Sequence, residues 1–327
     1  MQEYSALRSS FEQIQEQLAK TVVGQEDVVE QLMISLLAGG HCLFEGAPGA
    51  ARALTAAQLS TALGLTFARV CCTNELTPEE LVGADWEPEP TATVGTAPGP
   101  LFANVVFLDD VLRLAPKTAA LVQQAITDRE VFVRGRAYKL ADPQVVLAAT
   151  YTDYEPEGPP EPRDDRYLMK ISIEFPSYQD EYQIAQTASG PIHDGVEAVL
   201  SPEQLVELRR QVREVEVPPY VLHYALRLVR ATRVHECETP DFVYEWLQAG
   251  AGTRAAHALA LTGKVRAALH GRGAADCADV QAVALPVLRH RLETNHNARS
   301  NGVTVDRVIS RLLYEVPDRV PDDEAEA

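Results

Sequence analysis

Long apolar runs are missing from this chain. No stretch approaches the ~18 residues that a membrane-spanning helix needs, so insertion into a membrane is not expected. Basic residues are scarce as well: 29 Lys and Arg stand against 47 Asp and Glu, a formal net charge of −18. That deficit argues against a nucleic-acid or anionic-membrane surface, because phosphate backbones are held by clustered Lys and Arg. Cysteines number five, Cys42, Cys71, Cys72, Cys237 and Cys277. The count is odd, two are adjacent and no C-x-x-C pair exists, so neither a disulfide framework nor a zinc site is indicated. Reduced thiols, buried or half-buried, are expected instead. No His/Asp/Glu cluster has zincin spacing, and neither G-x-S-x-G nor a local Cys–His signature marks a covalent nucleophile. The two tryptophans, Trp86 and Trp246, read as a loop contact and a core residue, not as a stacking platform. Met1-Gln2-Glu3-Tyr4 does not read as a signal peptide, and the expected compartment is the cytoplasm.

What is present is an ordinary globular composition. The 327 residues are 46% hydrophobic, enough for about two domains with proper cores. Residues 11–37 carry helical periodicity, interrupted at Val22-Val23-Gly24-Gln25. His41-Cys42-Leu43-Phe44-Glu45 reads as a short buried strand that enters a Gly/Pro turn, and a helical stretch from Ala51 to Leu63 follows. Strand, glycine turn and helix open a phosphate-binding α/β domain. Two further apolar runs, Val105–Leu108 and Val145–Ala149, end in polar residues, as parallel strands do beside a ligand. Residues 130–140 alternate around Gly135 like a hairpin, and residues 85–99 read as an exposed loop or hairpin. From Ser201 onward the pattern is almost all amphipathic helix. The expected fold is therefore an α/β nucleotide-binding domain over residues 1–190, a helical domain over 200–317 and an acidic, poorly ordered tail over 318–327.

A working P-loop is G-x-x-x-x-G-K-[ST]: backbone N–H groups wrap the phosphates, the Lys bridges the β and γ oxygens, and the hydroxyl holds Mg²⁺. The matching stretch here is Gly46-Ala47-Pro48-Gly49-Ala50-Ala51-Arg52-Ala53. The first Gly is in place, but the second has become Ala51, the lysine Arg52 and the hydroxyl residue Ala53. Ala51 disfavours a positive φ and adds a methyl where phosphate must approach. Arg52 keeps a charge, but on a broad planar fork instead of a compact ammonium. Ala53 removes a metal ligand outright.

The surroundings of this segment resemble the MoxR family of AAA+ ATPases. The likeness is carried by Thr21-Val22-Val23-Gly24-Gln25-Glu26, by residues 37–46, by Pro98-Gly99-Pro100-Leu101-Phe102-Ala103-Asn104, by Phe175-Pro176-Ser177 and by the helical part, over roughly residues 10–317. The resemblance implies a AAA+ large domain followed by an all-α lid, ATP or ADP with Mg²⁺ as ligand, and a homo- or hetero-hexameric ring. It implies chaperone-like remodelling or metal insertion, with a von Willebrand A-type protein as partner. Val22, Val23 and Gly24 would flank the base, and residues 46–53 the phosphates.

By the same resemblance, Asp109 and Asp110 stand where a Walker B strand ends in Asp-Glu. Asp109 would organise Mg²⁺, while Asp110 is one methylene short of the glutamate that positions water. A misplacement of that kind can cost roughly 100-fold in rate. Both aspartates could equally cap the following helix. Thr152 is placed at sensor 1, although a slip of one register would choose Thr150 or Asp153. Asp165-Arg166-Tyr167 resembles the family's arginine-finger segment, and Gly252-Thr253-Arg254 its sensor 2. Leu288-Arg289-His290-Arg291-Leu292 resembles an R-H-R lid segment and reads as packing and surface charge. The residues that would act on this chain's own nucleotide are altered (Ala51, Arg52, Ala53, Asp110), whereas those that would reach a neighbour's, Arg166 and Arg254, persist. Three readings stay open: a weak or non-hydrolysing subunit that completes a neighbour's site, a divergent working ATPase, and an interaction module that binds no nucleotide. The first is favoured.

Overall fold

A computed structural model describes residues 3–47, 49, 51–83, 98–133, 136–150, 164–189, 195–234, 236 and 239–319. Five strands build its central sheet: β1 (Cys42–Gly46), β2 (Phe67–Cys71), β3 (Val105–Asp109), β4 (Val145–Thr150) and β5 (Met169–Ile173). Their spatial order is β2-β3-β4-β1-β5. The pairs β2–β3, β3–β4 and β4–β1 are parallel. Such ladders are buried on both faces, which is why β3 and β4 read as unbroken apolar runs. Phe44 and Phe107 meet edge to face inside the sheet layer, with ring centroids 6.3 Å apart. The strand β1 sits between two strands that come much later in the chain. Its carboxyl end is therefore a topological switch point, the place where open α/β sheets bind ligands.

The helix Glu26–Ala38 precedes β1 and buries Val28, Leu32, Met33 and Leu36. It stops at Gly39, whose left-handed conformation lets its N–H reach the carbonyls of Leu36 and Ser35. The hairpin pairs Glu130–Val133 with Arg136–Lys139. Three elements had no clear signature in the sequence. β2 has a broken burial pattern at the sheet edge; β5 alternates, with Lys170 as its second residue. The helix Tyr178–Ser189 starts at a Ser177–Asp180 box, in which each side chain bonds the other's backbone N–H.

By contacts the chain divides into two compact units. One comprises Glu12–Glu155 and Ile171–Glu207, the other Met1–Phe11, Pro156–Lys170 and Leu208–Ala327. The second unit is mostly helical. In that helical unit, Thr253–Leu269 packs against Pro219–Ala231 and Cys277–Leu288, with Tyr224, Leu259 and Val280 fully buried. Asp279 is fully buried at the start of Cys277–Leu288, where it binds Arg266 (2.9 Å), Arg272 (2.5 Å) and the Asp276 N–H (2.9 Å). Burial alone would raise its carboxyl, but Arg272, the Asp276 amide and Arg266 together hold it below the ordinary range. Leu247–Ala249 and Glu293–Thr294 add a short antiparallel ribbon.

The cysteines are free among the described residues; Cys42, Cys72 and Cys277 are buried. Cys71 is exposed, because it lies on an edge strand. No described helix is long and apolar enough to cross a membrane. Pro48, Ala50, Thr152, Asp153, Trp86, Cys237, most of the 85–99 loop and the tail from 320 lie outside the described residues.

Candidate nucleotide site

The phosphate loop leaves β1 at Gly46. A Cβ there would stand 2.9 Å from the Ile173 carbonyl and 3.5 Å from Cδ of Arg52, so the close approach of β5 admits only glycine. Gly49 has φ +89° with open space around it. Ala51 takes φ +54°, ψ +18° and caps the helix Arg52–Ala62 without offering a side-chain acceptor. The second glycine of the motif has therefore been lost, but the left-handed backbone conformation at that position has not. This is the reverse of what the methyl group favours, and it leaves strain of about 1 kcal/mol at this residue. The first amides of the helix keep no side-chain partner at the N-cap, which is the usual condition of an anion site.

The loop is braced from the segment before β1. Thr55 in the loop helix donates from Oγ1 to Gln25 Oε1 at 2.6 Å, and its N–H bonds the Ala51 carbonyl at 2.9 Å. Gln25 is buried and follows Gly24, which has φ +70° and lies against the Asp180 carboxylate. Val22 is buried and Val23 half-buried. The Val-Val-Gly-Gln turn is thus tied to the phosphate loop on one side and to the helix Tyr178–Ser189 on the other.

Arg52 is 7% exposed and turns back under the loop. Its Nη1 donates to the Thr150 carbonyl at the end of β4, and its Nη2 lies 3.8 Å from Asp109 Oδ1. The other oxygen of Asp109 takes Arg69 Nη2 at 2.5 Å. Arg69 was not foreseen from the sequence. The β2–β3 register, Cys71 opposite Asp109, brings it alongside the carboxylate, and only a prediction of that strand could have found it. Asp110 has φ +63° and no capping hydrogen bond; its carboxylate pairs with Arg113 Nε at 3.7 Å. Asp110 thus stands at the N-cap of the turn Val111–Arg113 without a side-chain capping bond. The following helix, Pro116–Asp128, is capped by Ala115 without a side-chain bond. Behind the site, burial and then the carboxylates of Asp109 and Asp110 push the Cys72 thiol up to about 12, so it is inert.

The remaining arginines lie in the helical unit. Arg166 ends the 3₁₀ turn Asp164–Arg166 and is exposed. Arg254 lies in the first turn of Thr253–Leu269, and its Nη1 is 3.3 Å from Asp165 Oδ2. The other oxygen of Asp165 takes Arg291 Nε at 2.9 Å. Arg291 also donates to the carbonyls of Tyr167 (2.7 Å) and Leu168 (3.2 Å), and His290 Nε2 lies 3.1 Å from the Tyr167 carbonyl. Of the packing and surface charge expected of this pair, the packing is found and the surface charge is corrected: both side chains are buried. They bind the backbone of the turn that carries Arg166, serving carbonyls that burial shuts off from solvent. Asp165, which joins Arg254 to Arg291, had no signal in the sequence beyond its place beside Arg166.

Comparison with known proteins fits this geometry. A family model described as "ATPase family associated with various cellular activities (AAA)" matches residues 41–169, and one for the AAA lid domain matches residues 243–312. The chaperone MoxR1 of Mycobacterium tuberculosis is 30% identical over 303 residues, covering 92% of this chain and 80% of that one. The chain belongs to the MoxR family of AAA ATPases. The uncharacterised protein YeaC of Bacillus subtilis is 29% identical, with 92% of each chain covered. A solved structure of a candidate ATPase from Cytophaga hutchinsonii superposes with a TM-score of 0.88 at 26% identity, over 96% of both chains. The fold is accordingly a AAA+ α/β domain with a helical lid.

AAA proteins generally bind ATP or ADP with Mg²⁺. In this MoxR-family member the two halves of that ligand fare differently. The helix Arg52–Ala62 has no side-chain cap at Ala51, the condition under which first-turn amides can receive a phosphate. The metal does not fit. Ala53 offers no oxygen, and both oxygens of Asp109 face guanidinium groups. Among the described residues no cluster of three or more His, Cys, Asp or Glu could hold a metal ion.

Proposed function

We propose that this MoxR-family chain is a nucleotide-binding but weakly or non-hydrolysing subunit of a AAA+ ring, retained to complete the site of a neighbour. The reading rests above all on Asp109. A carboxylate engaged by Arg52 and Arg69 is not free to order a metal and its water, and phosphoryl transfer depends almost entirely on such positioning and charge. The short Asp110 carboxylate is likewise turned to Arg113. Arg166 and Arg254 keep their charge and exposure on the lid side, where they would serve a nucleotide bound to an adjacent subunit. The left-handed loop conformation kept at Ala51 favours nucleotide binding over use of the fold as a plain scaffold. The ring, homo- or heteromeric, would act in chaperone-like remodelling, with a von Willebrand A-type protein as client-side partner.

Steady-state phosphate release by the purified chain tests this reading, beside an Arg52→Lys, Ala53→Thr, Asp110→Glu variant. The native chain should show nucleotide binding without measurable turnover, and the triple variant should gain turnover of about 100-fold over that background. Native turnover that disappears in Asp109→Ala would instead make this a divergent working ATPase.

A further inference from the structure

Asp165 holds two arginines in the helical unit, and it holds them unequally. Building on the reading of Arg254 given above, we propose that Asp165 is the holder of that arginine. It parks the guanidinium on its own subunit and yields it to phosphate on a neighbour, and so sets how readily the trans arginine is delivered.

The carboxylate is fixed on one side only. Its Oδ1 takes Arg291 Nε at 2.9 Å, and the Arg291 side chain is 3% accessible. The other N–H groups of Arg291 donate to the carbonyls of Tyr167, Leu168 and Val287. Drawing Asp165 away would leave a buried guanidinium without its counter-ion, which is strongly disfavoured. Asp165 therefore stays in place when its other partner leaves. Its Oδ2 holds Arg254 by one contact of 3.3 Å from Nη1, and that side chain is 67% accessible. Among the described residues this contact occupies one arm of the Arg254 donor fork. Exposed pairs of this kind are weak, whereas a phosphate offers several charged oxygens that a planar fork can bind at two points. Arg254 also lies in the first turn of the 17-residue helix Thr253–Leu269. The positive end of a helix dipole disfavours a cation there, and an anion from outside the helix offsets it. Asp165 supplies that anion within the subunit, and a neighbour's phosphate would take its place. Because Asp165 directly precedes Arg166 in the turn Asp164–Arg166, a phosphate that meets Arg166 arrives beside the contact it has to replace.

Phenylglyoxal labelling of Arg254 in the full chain, read by peptide mass spectrometry, measures the hold directly. Asp165→Asn can keep its oxygen on Arg291 while its N–H₂ faces Arg254. In that variant Arg254 should label about two- to fivefold faster than in the native chain, the range expected for an exposed ion pair. ATP added to the assembled chain should slow the labelling, with its half-effect at a concentration about two- to fivefold lower in the variant. In the Arg52→Lys, Ala53→Thr, Asp110→Glu background, Asp165→Asn should raise phosphate release by a similar factor, and Arg254→Ala should remove the gain. A purely structural Asp165 would lower release instead. Equal labelling of native and variant chains, both folded by circular dichroism, overturns the holder, as does release that falls in Asp165→Asn; either leaves the trans reading standing. If the variant does not fold, the native chain reads the same contact: labelling of Arg254 should quicken between about 0.1 M and about 1 M NaCl, and an unchanged rate overturns the holder. Failure of ATP to protect Arg254 in either protein, once assembled, overturns the reading of Arg254 itself and the exchange with it.

Discussion

At the scale of single residues, the phosphate loop separates what sequence states from what backbone requires. Ala51, Arg52 and Ala53 are legible as departures from a motif, but the conformation they adopt is not. An alanine at φ +54° keeps the turn that a glycine would make without strain. Ala51→Gly should therefore stabilise the protein by about 0.5–1 kcal/mol, since relief of the left-handed conformation outweighs the added freedom of the unfolded chain. Urea unfolding midpoints of the two proteins measure this, with Ala51→Val as the opposite control, expected to destabilise. Equal midpoints for alanine and glycine would mean that the loop relaxes elsewhere. Arg69 shows the converse limit. Its identity is plain in the chain, but its meaning depends on a strand register that pairs residues 38 positions apart, Cys71 with Asp109.

At the scale of elements, strongly periodic or unbroken apolar segments were readable because their burial is nearly uniform. β1, β3 and β4 and the helices Glu26–Ala38 and Arg52–Ala62 on either side of β1 fall where their patterns predict. β2 and β5 were not readable: one is an edge strand with an arginine, the other carries a lysine, and pairing in the sheet overrides their weak local signal. The turn Asp164–Arg166 is recognisable only by resemblance, and His290 and Arg291 of the lid segment bind it and the residues just after it. His290 illustrates the cost of that arrangement. Burial first, then the neighbouring Arg291, holds its pKa well below the usual 6.5. Folded His290 stays neutral where the unfolded side chain takes up a proton, so below about pH 6.5 the unfolded state binds more protons. Its contribution to stability is complete above that pH and declines as pH falls, with a slope approaching 1.4 kcal/mol per unit. His290→Gln, which can still donate to the Tyr167 carbonyl, should flatten the acid side of a stability–pH curve measured by urea unfolding. Parallel curves for the two proteins would show that His290 is protonated in the folded state.

At the scale of the whole molecule, the two compact units hold different members of the motif-derived residue set. Arg52, Asp109 and Asp110 lie in the sheet unit, and Arg166 and Arg254 in the helical unit. In the sheet unit, charges that would serve a nucleotide and its metal are engaged with one another. In the helical unit, Arg254 is held by an exposed contact to Asp165, its side chain 67% accessible. An exposed ion pair of that kind contributes little, so on the proposed reading Arg254 could exchange Asp165 for a neighbour's phosphate at small cost. On the proposed reading, a subunit without hydrolysis of its own that retains these arginines should act as an activator when mixed with an intact MoxR-family ATPase that assembles with it. The expected result is a rise in phosphate release per intact subunit, abolished by Arg254→Ala or Arg166→Ala in this chain. Arg52→Gln in this chain should not abolish it. Because an arginine supplied in trans can be worth about 10³-fold or more in phosphoryl transfer, even partial assembly should give a measurable signal. If instead the arginine variants stimulate as well as the native chain, whatever this subunit contributes to a mixed ring does not pass through Arg166 and Arg254.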